Sequence, residues 1–315
     1  MKFLSKQQLA ELLPYPELIE ALREGFLLKS HVPLRQFHSI KTEEGADNSL
    51  LLMPSWQQGG MLGLKMTMVC PNNHKKNLET VQSTYILSDA TTGVSKAVLD
   101  GDELTVRRTA CASALASSYL SNPQAKSMLM MGSGKLAPHL IRAHACVRPL
   151  QEIYIWARRF DQAKTLAETL NNQLEVNIIA IDNPEKYANI CDIISCATLA
   201  KEPILKGKWL NNAGGQHIDL VGGYSYNMRE ADNDVIKNSD IYVDTFEGAL
   251  SEAGDILQPI DQGIITKDDV KAELYDMVKS GFQKSDPHKT TLFKSVGTAL
   301  EDLIAAKHAF VKLTS

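Results

Sequence analysis

SMLMMGSGKLAPHLIRAHACV, residues 127–147, joins an apolar run to an amphipathic run through a glycine turn. SMLMM (127–131) reads as a strand and KLAPHLIRAHACV (135–147) as a helix, with G-x-G-x-x-A between them at Gly132, Gly134 and Ala137. In that context the first glycine permits a tight turn, the second lets backbone approach a pyrophosphate, and the small third residue allows close helix–strand packing. The helix start adds unpaired N–H groups and a positive dipole end. A P-loop fails at both ends, because Leu129 replaces the leading glycine and Leu136 the magnesium-binding hydroxyl.

Downstream the alternation continues. EIYIWA (152–157), VNIIAI (176–181), DIISCA (192–197), HIDLVG (217–222) and IYVDT (241–245) read as strands. Between them lie helix-like FDQAKTLAETLNNQ (160–173), a short segment around Pro184 to Ala188, and READNDVIKNS (229–239). Strands that are apolar throughout and alternate with helices predict a parallel sheet covered on both faces, hence an α/β, Rossmann-type doubly wound domain. His217 reads as a packed strand residue, and Glu230 and Asp232 as carboxylates at a helix start. At the end of the second strand, where an acid would bind the adenosine ribose, stand Ala157, Arg158 and Arg159. Arginine meets a 2′-phosphate bidentately, so NADPH is the expected cofactor and NADH a weaker one.

Upstream the texture differs. Alternation in LGLKMTMV (62–69) and TYILSD (84–89), a TTG turn (91–93) and helix-like LTVRRTACASALASSYL (104–120) predict a separate α+β unit. SNPQ (121–124) punctuates its end, and the amphipathic TALEDLIAAKHAFVKL (298–313) is expected to return to it. The predicted domains are therefore 1–120 with 292–315, and 121–291. The first 26 residues read as an amphipathic helix and not a leader. No run approaches the roughly 18 apolar residues of a membrane helix.

Composition narrows the functions. A net charge of -4 leaves no basic surplus for nucleic acid. The five scattered cysteines, Cys70, Cys111, Cys146, Cys191 and Cys196, form no C-x-x-C pair, which predicts no metal site and a reducing cytoplasm.

LTVRRTACASALA (104–116), MGSGKLA (131–137), GGQHIDLVGG (214–223), YVDTFEGALSEAGDI (242–256) and LFKSVGTALEDL (292–303) together resemble the ornithine cyclodeaminase/mu-crystallin superfamily. The resemblance implies a homodimer with an N-terminal α+β domain for substrate binding and dimerisation, a Rossmann domain, and a bound nicotinamide. It places a substrate carboxylate clamp on Arg35, Lys65 and Arg108, with Lys65 and Arg108 the catalytic candidates, and a further pocket position on Thr84. Lys65 also stands out unaided, since an unpaired ammonium inside an apolar strand is costly. Arg107, beside Arg108, reads as solvent-facing. For the cofactor the resemblance implies Gly132, Ser133, Gly134, Lys135 and Leu136 at the pyrophosphate, Thr198 near the adenosine half, and Val221, Gly222, Ser295, Val296 and Gly297 beside the nicotinamide.

In deaminating relatives an aspartate follows the valine-glycine strand end by two residues; here that position is Tyr224. A phenol is a poor carboxylate substitute at neutral pH. The expected chemistry is therefore reduction of a ring already formed, Δ1-pyrroline-2-carboxylate to L-proline, with Δ1-piperideine-2-carboxylate as a second substrate and Tyr224 lining the pocket. The alternatives are an ornithine cyclodeaminase or alanine-type dehydrogenase, and a mu-crystallin-like NADPH-dependent binding protein.

Overall fold

The computed structural model describes residues 1–43, 45–282, 284 and 286–315. They divide into two compact units, Met1–Thr109 with Thr298–Ser315, and Ala110–Gly297.

In the first unit β1 (Lys2–Leu4) leads into α1 (Lys6–Leu12) and α2 (Tyr15–Phe26). Where the sequence predicts one helix, Pro14 separates two, because the proline ring cannot continue the first. Ser5 and Gln8 form a capping box at the start of α1. Then follow β2 (Gln36–Ile40), β3 (Asn48–Trp56), β4 (Met61–Val69), β5 (Val81–Asp89) and β6 (Ser95–Asp100), and the helix α3 (Gly101–Leu120) begins. The sheet order is β1-β6-β5-β4-β3-β2, with β1 parallel to β6 and the other pairs antiparallel. The C-terminal helix, Ala299–Thr314, packs against α2 and against β3, β4 and β5. Its approach to α2 depends on Gly25, where a Cβ would lie 2.5 Å from Ile304. Leu9, Leu18, Leu22, Leu99 and Leu303 are fully or almost fully buried there, each contributing about 2 kcal/mol by removal from water.

The second unit holds β7 (Ser127–Met131), α4 (Ala137–Val147), β8 (Glu152–Trp156), α5 (Phe160–Asn171), β9 (Asn177–Ile181), α6 (Glu185–Ala188) and β10 (Ile193–Cys196). It continues with β11 (His217–Leu220), α7 (Asn233–Lys237), β12 (Asp240–Val243), α8 (Phe246–Glu252), α9 (Gly254–Asp261), β13 (Val270–Glu273), α10 (Leu274–Ser280) and β14 (Thr291–Lys294). All eight strands are parallel, in the order β13-β12-β14-β11-β10-β7-β8-β9. From β7 the chain winds outward to β9, then returns to β10 on the other side of β7. The crevice beyond the carboxyl ends of β7 and β10 is thus a topological switch point, where open α/β sheets take their ligands.

The unit boundaries differ from those drawn on the sequence. α3 passes through position 109/110 unbroken, and its far end is held in the second unit by buried Arg148, which donates to the carbonyls of Ser117, Ser118 and Ser121 at 2.8, 2.9 and 3.1 Å. At the other end TLFK (291–294) is a buried strand between β11 and β12, so the second unit extends to Gly297 and not to residue 291. Among the described residues no helix is long and apolar enough to cross a membrane.

Candidate active site

The glycine turn lies at the switch point. Gly132 adopts φ +130°, and a Cβ there would meet the carbonyl oxygen of Ala197 at 2.6 Å, so the turns after β7 and β10 touch only because the residue is glycine. Around Gly134 a Cβ would meet open space. Ser133, Lys135 and Leu136 complete the turn into α4, which has no side-chain cap and carries Pro138 in its first turn. Ala157 is buried, while Arg158 and Arg159 are exposed immediately after β8. An open approach to backbone, an uncapped helix start and two arginines at the second strand end fit a dinucleotide.

The turns after β10 and β11 are joined by a carboxylate. Glu230 accepts from Thr198 N–H at 2.7 Å and Thr198 Oγ1 at 2.8 Å through one oxygen, and from Gly222 N–H at 2.8 Å through the other. Its reading as a helix-start acid is corrected: Asp232 is the N-cap of α7, accepting from Val235 N–H, and Glu230 is fully buried ahead of it. Burial pushes its pKa up to about 7, with Lys294 opposing and Asp255 adding to the rise. Gly222 has to be glycine, since a Cβ would fall 2.1 Å from Thr198 O and 2.5 Å from Glu230 Oε1. Val221 is buried beside it. A second carboxylate, Asp244 at the end of β12, accepts from Val296 N–H at 2.9 Å, Gly297 N–H at 2.6 Å and Ser295 Oγ at 3.3 Å, fixing the turn after β14. Burial raises its pKa, and the backbone donors oppose that rise. Lys294 lies fully buried 3.1 Å from Asp255, which also accepts from Glu230 N–H at 2.7 Å.

In the first unit Lys65 and Arg108 converge. Lys65, on β4, is 3% exposed, and its Nζ lies 2.7 Å from Asp302 Oδ2 and 3.5 Å from Thr105 Oγ1. Arg108, on α3, donates through Nε to Asp302 at 2.9 Å and through Nη1 to Glu301 at 2.5 Å. Burial lowers the Lys65 pKa to about 8; the charge of Arg108 works in the same direction, Asp302 opposes it, and Arg35 adds a smaller push. Burial also works against the charge of Arg108, but Asp302 and Glu301 outweigh it and hold its pKa above the ordinary guanidinium value. Tyr85, paired with Lys65 across β4 and β5, is fully buried, and burial followed by Asp302 keeps its phenol neutral. Arg35 is half-buried ahead of β2. Thr84 is not brought to this cluster: it pairs with Met66 and Asp100, on the face opposite Lys65, whereas Ser83 shares the Lys65 face and bonds Thr67 at 2.9 Å. Arg107 is not solvent-facing. It is 8% exposed, pairs with Glu103 at 2.5 Å and donates to Leu13 O at 2.9 Å.

The family model described as ornithine cyclodeaminase/mu-crystallin matches residues 2–315. The chain belongs to that family. It is 46% identical to an uncharacterised protein of Schizosaccharomyces pombe over 98% of this chain and 96% of that one. It is 34% identical to the Δ1-pyrroline-2-carboxylate reductase of Colwellia psychrerythraea, over 99% of each chain. Among solved structures, the Δ1-pyrroline-2-carboxylate reductase of Thermococcus litoralis in complex with NADH and L-proline is 32% identical, with a TM-score of 0.93 over 100% of this chain and 98% of that one.

This member of the ornithine cyclodeaminase/mu-crystallin family carries Tyr224, 39% exposed, in the turn after β11. Three functional candidates were not picked out from the sequence. Glu301 and Asp302 stand in the first turn of an apolar helix capped by Thr298, and two acids buried in such a face call for cations, which is the signal that could have found them. Glu230 carries no periodic signal. Among the described residues no group of three His, Cys, Asp or Glu side chains could hold a metal ion.

Proposed function

We propose that this protein is an NAD(P)H-dependent ketimine reductase that converts Δ1-pyrroline-2-carboxylate to L-proline and also accepts Δ1-piperideine-2-carboxylate. The observation that carries the reading is the buried Lys65–Arg108 pair combined with a phenol, not a carboxylate, at Tyr224. Such a chain can orient an imino acid but lacks the acid that assists loss of ammonia. Its similarity to reductases of this substrate supports the same reading.

Residues 132–136, Thr198, Val221, Gly222 and 295–297 hold the dinucleotide. When bound, it supplies the hydride for the imine carbon. Arg108 and Lys65, with Arg35, hold the substrate carboxylate and fix the ring. Lys65, with a pKa of about 8, is largely an ammonium at neutral pH and can place a proton at the ring nitrogen. Tyr224 lines the ring pocket. Thr84, on the far face of its sheet, receives no substrate role in this reading.

NADPH is proposed over NADH because Arg158 and Arg159 are exposed at the end of β8, without a carboxylate to repel a 2′-phosphate. A homodimer is proposed through the sheet face of the first unit that bears Phe3 and Met66, 70% and 42% exposed, since a broad apolar sheet face calls for a covering surface; sedimentation as a monomer would refute this. Five cysteines without a disulfide fit the cytoplasm.

The test follows NADPH absorbance with purified protein and each cyclic imine. Consumption is expected with Δ1-pyrroline-2-carboxylate. Tight NADPH binding without turnover would replace the reductase by a binding protein, and ammonia release from ornithine would replace it by a cyclodeaminase.

A further inference from the structure

We propose that Glu230 is a positioning residue that clamps the turn after β10 to the turn after β11 and so sets the wall against which the nicotinamide half of the dinucleotide lies. The proposal rests on the reading of the switch-point crevice as the dinucleotide site. Two turns that leave the sheet separately are joined here through one side chain: Thr198 N–H and Oγ1 donate to Oε1 at 2.7 and 2.8 Å, and Gly222 N–H donates to Oε2 at 2.8 Å. Gly222 and Thr198 approach so closely that no Cβ fits between them. The clamp is itself anchored, because Asp255 Oδ1 accepts from Glu230 N–H at 2.7 Å and from Ala231 N–H at 3.1 Å.

Three donors on two oxygens require a carboxylate. An amide or a protonated acid turns a hydrogen toward one of the two turns, where a backbone N–H already points, and that end of the clamp opens. Gly222, read beside the nicotinamide, is bonded to Glu230, whereas the glycines of the pyrophosphate turn meet only the neighbouring Ala197–Thr198 turn, so the change bears more on the nicotinamide half than on the rest of the ligand. The charged and titratable groups facing the carboxylate are Lys294 from β14, Asp255 from α9 and Cys196 at the end of β10; burial holds the Cys196 thiol well above its ordinary value, so it stays neutral.

The experiment measures equilibrium binding of NADPH and of 2′-phospho-ADP-ribose, which keeps the adenosine, the 2′-phosphate and the pyrophosphate but lacks nicotinamide, to the full chain. For Glu230→Gln the NADPH Kd should rise about tenfold or more while that of 2′-phospho-ADP-ribose stays within about twofold. In wild type the NADPH Kd should fall more steeply than that of 2′-phospho-ADP-ribose as pH rises from 6 to about 8, because the carboxylate ionises in addition to the 2′-phosphate that both ligands carry, and in the variant the two slopes should match. Thr198→Val, which removes one donor and leaves the backbone bond, should raise the NADPH Kd about threefold and by more than that of 2′-phospho-ADP-ribose, and serves if Glu230→Gln fails to fold. Equal losses for both ligands, or unchanged NADPH affinity with the wild-type pH slope retained, would overturn the clamp. Failure of wild type to bind either ligand would instead remove the dinucleotide site and the clamp with it.

Discussion

Lys65→Arg separates the charge at position 65 from its titration. Lys65 is fully buried, and its pKa lies near 8 against an ordinary 10.5, chiefly through burial. At pH 7 it is an ammonium and at pH 10 largely an amine. If Lys65 and Arg108 share a substrate carboxylate, the rise in pH removes one charge-assisted hydrogen bond of about 1.5–3 kcal/mol, so binding weakens about 10- to 100-fold. Pyrrole-2-carboxylate is a suitable probe because its ring nitrogen does not titrate in this range. Calorimetric titration of the NADPH-loaded enzyme from pH 7 to 10 should show that weakening in wild type. Arginine stays protonated throughout, so Lys65→Arg should bind equally at both ends, whatever its absolute affinity. The same group bears on stability. Between pH 8 and 10.5 the unfolded chain carries the extra proton, so unfolding free energy rises with pH there by about 3 kcal/mol in wild type and not in the variant. An undiminished alkaline slope in Lys65→Arg would place the titrating group elsewhere and remove Lys65 from the clamp.

Arg108→Ala takes a guanidinium from two buried acids, which should cost about 3–5 kcal/mol in a urea titration and more than about 100-fold in turnover, with NADPH affinity within about twofold; parallel loss of cofactor binding would mean that the residue does not belong to the clamp. Replacing Arg158 and Arg159 by Ser should raise KM for NADPH about 10- to 100-fold and leave KM for NADH nearly unchanged; equal KM values in wild type would end the NADPH preference. His217, 0% exposed on β11, has its pKa lowered to about 3, mainly by burial, against 6.5. Because the unfolded state takes up the proton first, its contribution to stability is complete above pH 6.5 and fades as pH falls toward 3, by about 2 kcal/mol at pH 5. Urea midpoints of His217→Gln should therefore depend less on pH between 6.5 and 5 than those of wild type; identical slopes would show that His217 is not the group responsible.

The parallel sheet was legible because its strands are apolar on both faces, a signal that is local and strong in SMLMM and EIYIWA. TLFK carried the same signal, but it is only four residues long and ends in Lys294, whose ammonium is ion-paired with Asp255 from a different element; sequence spacing cannot show such a partner. The same limit hid Glu230, whose three donors come from residues 198 and 222. Arg107 and Arg108 are indistinguishable as letters. One step along α3 turns the first toward Glu103 and the second toward the C-terminal helix, and only the assembled helix pair reveals which is which. Thr84 fails by a similar margin: in a strand a single step changes the face, so Ser83 and not Thr84 lies on the side of Lys65.

The depressed pKa of Lys65 also bears on where the proton comes from. Hydride arriving at the carbon of the neutral imine leaves the C=N electron pair on the ring nitrogen, and one proton completes a secondary amine whose basicity lies in the ordinary lysine range. In the proposed reduction an ammonium with a pKa of about 8 is a stronger acid than the conjugate acid of that amine, so a proton passed from Lys65 to the ring nitrogen as the C–H bond forms would move downhill. Asp302 at 2.7 Å and Arg108 beside it would then face a neutral amine, the form that burial favours, until solvent restored the proton. A guanidinium cannot make this transfer, although it binds a carboxylate well. Lys65→Arg should therefore keep pyrrole-2-carboxylate affinity within about tenfold and lose about 100-fold or more in kcat, the usual contribution of a placed proton donor. Single-turnover oxidation of bound NADPH gives the chemical step directly. If that step runs at the wild-type rate in Lys65→Arg, water supplies the proton, and Lys65 serves only to hold the carboxylate.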